Sequence, residues 1–166
     1  MHLRPARRSD AGVIGRLGID PLIHRFYGRE RAARRGLTAA EARAVVARLM
    51  GRGGTQGWMM ESRGRLVGVA RLFAVEPDER HCWYSISLLS HESVGRGLGT
   101  EATRLVLTYA FAVLGMHRVS ARVLDFNARA VALLRGSGFL LVRNLVIKAR
   151  WLSEDLECRS VPASSM

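Results

Sequence analysis

The sequence predicts an α+β or mixed α/β fold around one sheet, and three observations carry that prediction. A helix-rich opening is followed by three strand-like segments, after which helical and strand-like segments alternate. Hydrophobic residues make up 48% of the chain and charged residues 24%, as in ordinary globular proteins. The length of 166 residues is that of one domain. We expect residues 1–152 to form this domain and residues 153–166 to be a flexible tail.

The first part of the chain predicts a strand and two helices. Residues 2–4 are a strand candidate, and Ser9 and Asp10 after them can cap a helix. Residues 21–36 show neither helical nor strand periodicity, so we expect an irregular or mobile segment there. Thr38 precedes Glu41 by three residues, which is the capping-box spacing that opens a further helix.

The middle of the chain predicts an antiparallel meander. Three strand-like runs cover residues 57–62, 65–75 and 81–89. Turn signals at Gly64 and Pro77 separate the runs. Because the connections are short, consecutive strands are expected to pair with each other.

The last part of the chain predicts two helices and two strands. Apolar residues follow helical spacing over residues 102–113, and Gly115 ends this helix. Residues 119–124 read as a short strand and residues 127–135 as a short helix. The apolar run 139–151 is expected to complete the sheet.

The chain is strongly basic, with a formal net charge of +12. Almost all of the basic residues are arginines, and Lys148 is the only lysine. A positive surface attracts anions such as nucleic acids, phosphorylated cofactors and acidic substrates. The charge alone does not choose among these partners.

Membrane insertion, disulfides and metal sites are disfavoured by the sequence. No apolar run approaches the roughly 20 residues that span a bilayer, and no apolar segment of a secretion signal follows the basic start. We therefore expect a cytoplasmic protein. Cys82 and Cys158 are far apart and lack paired spacing, which favours two reduced thiols and no zinc site.

A glycine-rich turn lies between the third strand of the meander and the strongest predicted helix. It consists of Val94, Gly95, Arg96, Gly97, Leu98, Gly99 and Thr100. Such a turn lets a ligand approach the backbone closely, and the first N–H groups of the helix attract anions. The spacing matches neither a Walker A loop nor a dinucleotide fingerprint. A phosphate-binding turn and a purely structural tight turn both remain open at this point.

The residues from this turn onward carry a family resemblance. GRGLGTEA is followed by LTYAF and then by HRVSARVLDFNARAVALLRGSGF. This combination resembles the GCN5-related N-acetyltransferase (GNAT) superfamily, and within it the ribosomal-protein alanine acetyltransferase group. The resemblance implies a mostly antiparallel twisted sheet with two splayed strands and flanking helices. It also implies an enzyme that transfers the acetyl group of acetyl-CoA to a primary amine, without a metal.

The resemblance also implies where acetyl-CoA binds. The cofactor would lie between the splayed strands that contain Ser87 and Val123, with its pantetheine arm paired to backbone near Leu88 and its pyrophosphate on the turn. The expected cofactor-binding residues are Leu88, Leu89, Val94, Gly95, Arg96, Gly97, Leu98, Gly99, Thr100 and Asn127.

For catalysis, the resemblance implies direct attack of a neutral amine on the thioester carbonyl through a tetrahedral intermediate. A backbone N–H near Ser87 is the expected oxyanion donor. The candidate catalytic residues are Ser87, Tyr84 and Asn127. Asn127 is expected near the sulfur end of the cofactor, and a helix N-cap is an equally weighted interpretation of the same residue.

Three positions depart from the family pattern. No carboxylate occurs at residues 82–85, where many members place a glutamate base, and Leu134 stands where many members have a tyrosine or serine acid. Val94 replaces the usual glutamine or arginine at the start of the turn. Side chains that can substitute for a base through water are Glu61, Glu76, Glu79, Glu92, His81 and His91.

The acceptor is the least constrained part of the prediction. The expected acceptor is a protein or peptide N-terminus, and the alternative is a small amine such as an amino sugar, antibiotic, polyamine or amino acid. A third hypothesis is a non-catalytic nucleic-acid or ribosome-binding protein on the same fold, although no recognition motif for nucleic acid occurs. A homodimer is consistent with the resemblance. The side chains that could hold an acidic acceptor are Arg25, Phe26, Tyr27, Arg29, Arg31, Arg34 and Arg35.

Overall fold

The computed structural model describes residues 1–17, 20–26, 37–51, 54–147 and 151–159. The strands, labelled β1 to β7 in chain order, are His2–Pro5, Gln56–Ser62, Arg65–Glu76, His81–Leu88, Arg118–Leu124, Leu140–Ile147 and Trp151–Arg159. The helices, labelled α1 to α5, are Asp10–Leu17, Pro21–Arg25, Ala39–Met50, Leu98–Thr108 and Ala128–Gly136. A 3₁₀ turn at His91–Ser93 precedes α4, and a π-helical turn at Tyr109–Val113 continues it.

These strands form one sheet in the order β1-β2-β3-β4-β5-β7-β6. Neighbouring strands are antiparallel except for β4 and β5, which run parallel. The pairing of β4 with β5 begins at His81 opposite Arg118 and ends at Tyr84 opposite Ala121. Beyond that point the two strands diverge. The expected mixed fold, with a mostly antiparallel sheet and two splayed strands, is confirmed.

Helices cover both faces of the sheet. Successive strand residues point to opposite sides, so apolar residues of one strand can pack against helices on either face. Met59 of β2 packs with Ile14 of α1 and Val46 of α3 in one buried cluster. Met60, the next residue along the strand, belongs to a larger cluster with Val106 of α4 on the other face. The site described below lies on the α4 side of the sheet.

The capping box predicted for α3 is confirmed. The hydroxyl of Thr38 accepts a hydrogen bond from the backbone N–H of Glu41 at 3.2 Å, and the Glu41 carboxylate accepts one from the Thr38 backbone N–H at 2.8 Å. At α1, Asp10 accepts a hydrogen bond from the Arg7 N–H at 2.7 Å and pairs with the Arg4 guanidinium at 2.7 Å. These local signals fix where both helices begin.

The prediction of an irregular segment from residue 21 onward is wrong for its first residues. Pro21–Arg25 forms the short helix α2, with Asp20 as its N-cap and Pro21 in its first turn. An aspartate before a proline is a recognised helix start, because proline fits the first turn, where its missing N–H is not needed. Residues 27–36 lie outside the described part of the chain.

The predicted helix after the glycine-rich turn is present, but its apolar face is narrower than expected. Val106 and Ala110 are buried, whereas Leu105 is 43% exposed and Val113 is 66% exposed. Val113 lies in the π-helical turn, where the wider winding changes which side chains face the sheet. Tyr109 opens this turn, and its ring packs edge-on against Trp58 at 5.3 Å between centroids.

The end of the chain differs from the prediction in two ways. The apolar run 139–151 is not one strand, since β6 ends at Ile147 and β7 begins at Trp151. The expected tail is wrong over residues 153–159, because β7 pairs with β5 on one side and with β6 on the other. The polar composition of β7 hides this long-range pairing from a local analysis of the sequence. Residues 160–166 are outside the described ranges.

In the portion of the chain that the structure describes, no helix has the length and apolar character needed to cross a bilayer. Cys82, at the start of β4, is a free cysteine and fully buried, and burial raises the pKa of its thiol to about 11. A neutral, inaccessible thiol has little nucleophilic reactivity.

Candidate active site

A cleft opens where β4 and β5 diverge, and it contains two adjoining cavities. The larger, which we call the outer cavity, has a volume of about 620 Å³ and lies against the glycine-rich turn. Its walls come from α2, the end of β4, the turn and first residues of α4, and α5. The lining residues are Ile23, Phe26, Ile86, Leu88, Ser93, Val94, Gly95, Gly97, Leu98, Gly99, Thr100, Asn127, Arg129, Ala130, Ala132 and Leu133.

The smaller, or inner, cavity has a volume of about 130 Å³ and lies between the diverging strands themselves. Tyr84 and Ser85 line it from β4, and Arg122 and Val123 line it from β5. The residues shared by both cavities are Phe26, Ile86, Asn127, Ala130 and Leu133. The two cavities are therefore neighbouring compartments of one cleft.

The backbone of the glycine-rich turn faces the outer cavity. Gly97 is the N-cap of α4 with φ of 74°, a left-handed conformation that favours glycine. A Cβ at Gly95 or Gly97 would meet no heavy atom within 4 Å, so the turn leaves open space beside the backbone. At Gly99, by contrast, a Cβ would lie 2.6 Å from a methyl carbon of Leu133, so this glycine lets α4 and α5 pack closely.

The first turn of α4 presents backbone donors to the outer cavity. No side chain caps this helix, and its first intrahelical acceptor is Gly97, whose carbonyl accepts from Glu101 N–H at 3.0 Å. The N–H groups of Leu98, Gly99 and Thr100 precede that bond, and all three residues line the cavity. Uncapped amides at a helix N-terminus attract anions. An open glycine cradle beside such amides fits the pyrophosphate of coenzyme A.

The hydrogen-bonding parity of β4 shows which backbone groups face the cleft. The backbone N–H of Leu89 donates a hydrogen bond to the Val67 carbonyl at 3.0 Å. In an antiparallel pair every second residue is bonded to the neighbouring strand in this way, so the backbone of Ser87, opposite Val69, also faces β3. The backbone of Leu88, which lies between them, points toward the diverging side. The expected pantetheine contact therefore fits Leu88 and does not fit Leu89, and the N–H of Ser87 is directed to β3.

Asn127 has the capping role that the sequence suggested. Its side-chain oxygen accepts a hydrogen bond from Ala130 N–H at 3.1 Å at the start of α5. Its side-chain nitrogen donates to the carbonyl of Phe26 at 3.2 Å, which joins α5 to the end of α2. Asn127 also lines both cavities. The cap is thus observed, and the cofactor contact stays a prediction at a position that suits it.

Tyr84 is held in the core by its hydroxyl. This oxygen lies 2.9 Å from the Thr103 hydroxyl, which in turn donates to the carbonyl of Gly99 at 2.8 Å. The ring is 3% exposed and stacks on Phe139 with 6.3 Å between centroids. These contacts tie β4 to α4. Tyr84 borders the inner cavity, but its hydroxyl is engaged on the helix side.

Ser87 is not among the residues that line either cavity. Its neighbours Ile86 and Leu88 do line the outer cavity, so alternation along β4 directs the Ser87 side chain to the opposite face. Its hydroxyl donates to the Leu88 carbonyl at 3.2 Å. A catalytic role for this side chain stays a prediction without a geometric argument.

The outer cavity has one charged side chain in its wall that the sequence did not indicate. Arg96, one of the expected cofactor-binding residues, is exposed and does not line the cavity, whereas Arg129 of α5 does. The Arg129 guanidinium lies 6.0 Å from the centre of the Phe26 ring. The sequence does place Arg129 two residues after Asn127, in the first turn of α5 and therefore beside the cleft. Val94 lines the cavity despite departing from the family pattern.

The side chains considered as substitute bases lie elsewhere. None of the described residues that line the cavities carries a carboxylate or imidazole. Glu61 pairs with Arg4 at 2.7 Å, and His91 contacts Asp20. Glu92 is exposed in the 3₁₀ turn beside His91 and lines neither cavity.

The remaining three candidate bases form a group at the other end of β4. The ligand atoms of Glu76, Glu79 and His81 lie within 4.8 Å of one another. In His81, Nδ1 lies 3.5 Å from the Glu76 carboxylate, and Nε2 lies 2.9 Å from the Ser120 hydroxyl. Seven residues of extended strand, about 23 Å, separate His81 from Leu88 in the cleft.

Part of the expected acceptor wall is outside the described ranges. Phe26 lines both cavities, and Arg25 is the last residue of α2. The other proposed members of this wall fall in residues 27–36. They are Tyr27, Arg29, Arg31, Arg34 and Arg35.

Curated proteins similar to this chain are acetyltransferases. "Probable N-acetyltransferase YjcK" of Bacillus subtilis is 32% identical over 94 residues, which cover 54% of this chain and 52% of that protein. The chain thus spans about half the length of that relative. Spermidine N(1)-acetyltransferase of Escherichia coli K12 is 24% identical over 139 residues, covering 84% of this chain and 72% of that protein.

Solved structures share the fold. The spermidine N-acetyltransferase from Vibrio cholerae in complex with CoA and spermine has a TM-score of 0.78 at 20% identity, covering 95% of this chain and 94% of that one. A dodecameric structure of the same enzyme in an intermediate state has a TM-score of 0.71 at 19% identity, covering 95% and 92%.

The model of a protein family supplies the direct assignment. The "Acetyltransferase (GNAT) domain" family matches residues 1–140, which include the cleft, the glycine-rich turn and α5. The superfamily resemblance is therefore confirmed, while the narrower ribosomal-protein alanine group stays a prediction. With its splayed strands and its uncapped amides at the glycine-rich turn, the chain belongs to the GNAT acetyltransferase family.

Proposed function

We propose that this enzyme acetylates a small primary amine with acetyl-CoA, at the junction of the two cavities. The observation that carries the proposal is the continuous cleft between the first-turn amides of α4 and the gap between β4 and β5. It offers an anion site at one end and a narrow compartment at the other. Acetyl-CoA has a pyrophosphate that fits the anion site and a thin acyl arm that fits the narrow compartment.

Three features of the outer cavity would hold the cofactor. The N–H groups at Leu98, Gly99 and Thr100 would bind the pyrophosphate, with the open space beside Gly95 and Gly97 admitting it. The Leu88 backbone, directed into the gap, would pair with the pantetheine arm in the manner of an added strand.

Arg129 and Asn127 flank the same path from α5. Arg129 supplies positive charge from a cavity wall, and a guanidinium binds phosphate through charge-assisted hydrogen bonds. Asn127 would orient the arm where the two cavities meet, since it lines both of them. Its cap and its bond to Phe26 hold the amide in place for that purpose.

The chemistry in the inner cavity is acyl transfer. When bound, acetyl-CoA supplies an activated acetyl group: a carbon–nitrogen bond forms, the carbon–sulfur bond breaks, and a proton passes from the amine to leave free coenzyme A. A backbone N–H directed into the gap from β4 would stabilise negative charge on the carbonyl oxygen. Loss of such a donor costs about 3 kcal/mol in other enzymes.

The acceptor proposal rests on the curated relatives. The E. coli relative that aligns with 84% of this chain is a spermidine acetyltransferase, and the V. cholerae structure holds spermine. A small amine therefore has more support than the peptide N-terminus expected from the sequence.

The test is transfer by the purified enzyme to a matched panel of acceptors. Spermidine, an amino sugar, an amino acid and a short peptide with a free N-terminus are each incubated with acetyl-CoA, and free thiol and acetylated product are measured. We expect turnover with at least one small amine at a kcat/KM well above that for the peptide. Preferential acetylation of the peptide would contradict the acceptor proposal.

A further inference from the structure

The short helix α2 closes one side of the outer cavity. Ile23 is 3% exposed and lines this cavity, and Phe26, the residue after the helix, lines both cavities. A helix of five residues is too short to be stable alone, because isolated helices below about 12 residues are marginal in water. The position of this wall therefore depends on what holds the two ends of α2.

The N-terminal end is held by Asp20, which bonds in two directions. One carboxylate oxygen accepts a hydrogen bond from Leu22 N–H at 2.9 Å and caps α2. The other accepts from the backbone N–H of His91 at 2.9 Å and contacts the ring Nδ1 of the same histidine. Burial alone would raise the pKa of Asp20, but the hydrogen bonds from His91 hold it below its ordinary value.

His91 lies at the entrance to the glycine-rich turn. It opens the 3₁₀ turn His91–Ser93, and its carbonyl accepts a hydrogen bond from Val94 N–H at 2.9 Å. Ser93 and Val94 already line the outer cavity. The contact between Asp20 and His91 thus connects the α2 wall to the segment that shapes the anion site.

The other end of α2 is fixed to the opposite wall. Asn127 donates to the carbonyl of Phe26 while it caps α5. Helix α2 is therefore attached at its start to the 3₁₀ turn that leads into the glycine-rich turn, and at its end to α5. These are the two sides of the outer cavity.

We infer that Asp20 and His91 are a positioning pair that holds α2 against the 3₁₀ turn before the glycine-rich turn and thereby sets the affinity for coenzyme A. This inference rests on the proposed binding of coenzyme A in the outer cavity. The pair acts through the placement of Ile23 and Phe26. Neither Asp20 nor His91 lines the cavity itself.

The test compares three variants and one control by calorimetry with coenzyme A. Asp20→Asn keeps an oxygen to cap α2 but places an N–H donor against His91, and His91→Ala removes the ring contact. His91→Asn restores a donor near the position of Nδ1. Thr38→Ala is the control, because it removes the cap of α3, which lines neither cavity.

We expect Asp20→Asn and His91→Ala each to weaken coenzyme A binding by about three- to tenfold. His91→Asn should lie within about twofold of the wild type, and Thr38→Ala should change the melting temperature but not the affinity. Because His91 is 55% exposed, His91→Ala remains a folded probe even if Asp20→Asn does not fold.

Two outcomes would overturn the inference, and they are distinguishable. If the wild type binds coenzyme A and both disruptive variants bind it equally well, the positioning role is wrong and the proposed function stands. If the wild type does not bind coenzyme A at all, the proposed function fails and the inference fails with it.

Discussion

Two substitutions of Asn127 separate its cap of α5 from its other contacts. Asn127→Ala removes both the cap of α5 and the hydrogen bond to the Phe26 carbonyl. Asn127→Ser keeps a capping oxygen but is too short to reach that carbonyl. The alanine variant therefore loses two interactions and the serine variant loses one.

The expected stability changes follow from these two contacts. A helix N-cap contributes about 1 kcal/mol, and a hydrogen bond such as that to Phe26 contributes about 1 kcal/mol. For a chain of this length, each kcal/mol changes the melting temperature by about 2–4 °C. Asn127→Ala should therefore melt about 4–8 °C lower than the wild type, and Asn127→Ser about 2–4 °C lower.

The expected kinetic changes are different. If the Asn127 amide orients the pantetheine arm, both variants lose that contact, and kcat/KM should fall by about tenfold in each. The assay is release of free coenzyme A under saturating amine, corrected for the folded fraction by thermal melts. Wild-type kcat/KM in Asn127→Ser, together with the expected loss of stability, would refute the cofactor contact and leave only the structural role.

Three further predictions concern the glycine-rich turn, Tyr84 and Asp10. Gly97→Ala should weaken coenzyme A binding by at least about tenfold. Gly64→Ala is the control, because Gly64 has a similar φ of 72° and equally open space around its Cβ position. The control should show the same backbone strain of about 1–2 kcal/mol and normal binding. Equal affinity in both variants would contradict the turn assignment. Tyr84→Phe should lower stability by about 1 kcal/mol and leave kcat unchanged, and a large fall in kcat without a stability change would instead support a catalytic role for the Tyr84 hydroxyl. The Arg4 guanidinium beside Asp10 holds the pKa of that carboxyl below its ordinary value, against the opposing effect of burial. The ion pair therefore stabilises the fold above the unfolded-state pKa of Asp10. This stabilisation is lost as the pH falls through the lower folded-state pKa. Asp10→Asn should therefore melt lower at neutral pH and show a shallower loss of stability below about pH 4, and an unchanged acid profile would contradict this pairing.

Much of the fold could be predicted because its signals are local. The capping box of Thr38 and Glu41 fixes one helix start through contacts three residues apart. The glycines of the turn mark the start of α4 for a similar reason, since Gly97 adopts a backbone conformation that few other residues accept. The meander strands also follow from alternation and short turns.

The elements that were missed depend on long-range contacts. Strand β7 contains Glu154, Asp155 and Glu157, and its place between β5 and β6 comes from ladders to both neighbours. Its polar sequence therefore gives no strand signal. Arg129 was missed because it enters the cavity wall only when α5 packs beside α4.

The candidate site shows the same division between local and long-range information. The sequence indicated the backbone anion site, because the glycines and the helix start are contiguous. It did not show that the Tyr84 hydroxyl is engaged by Thr103 or that the backbone N–H of Ser87 faces β3. Both facts depend on which neighbour each strand residue meets.

Acetyl transfer to a small amine can be followed with isotope-labelled acetyl-CoA. The purified enzyme is incubated with labelled acetyl-CoA and a cell lysate, the mixture is separated by size, and label is followed against a control without enzyme. We expect enzyme-dependent label in the small-molecule fraction. Label confined to macromolecules would contradict the acceptor proposal, and no transfer to either fraction would contradict the assignment as an active acetyltransferase.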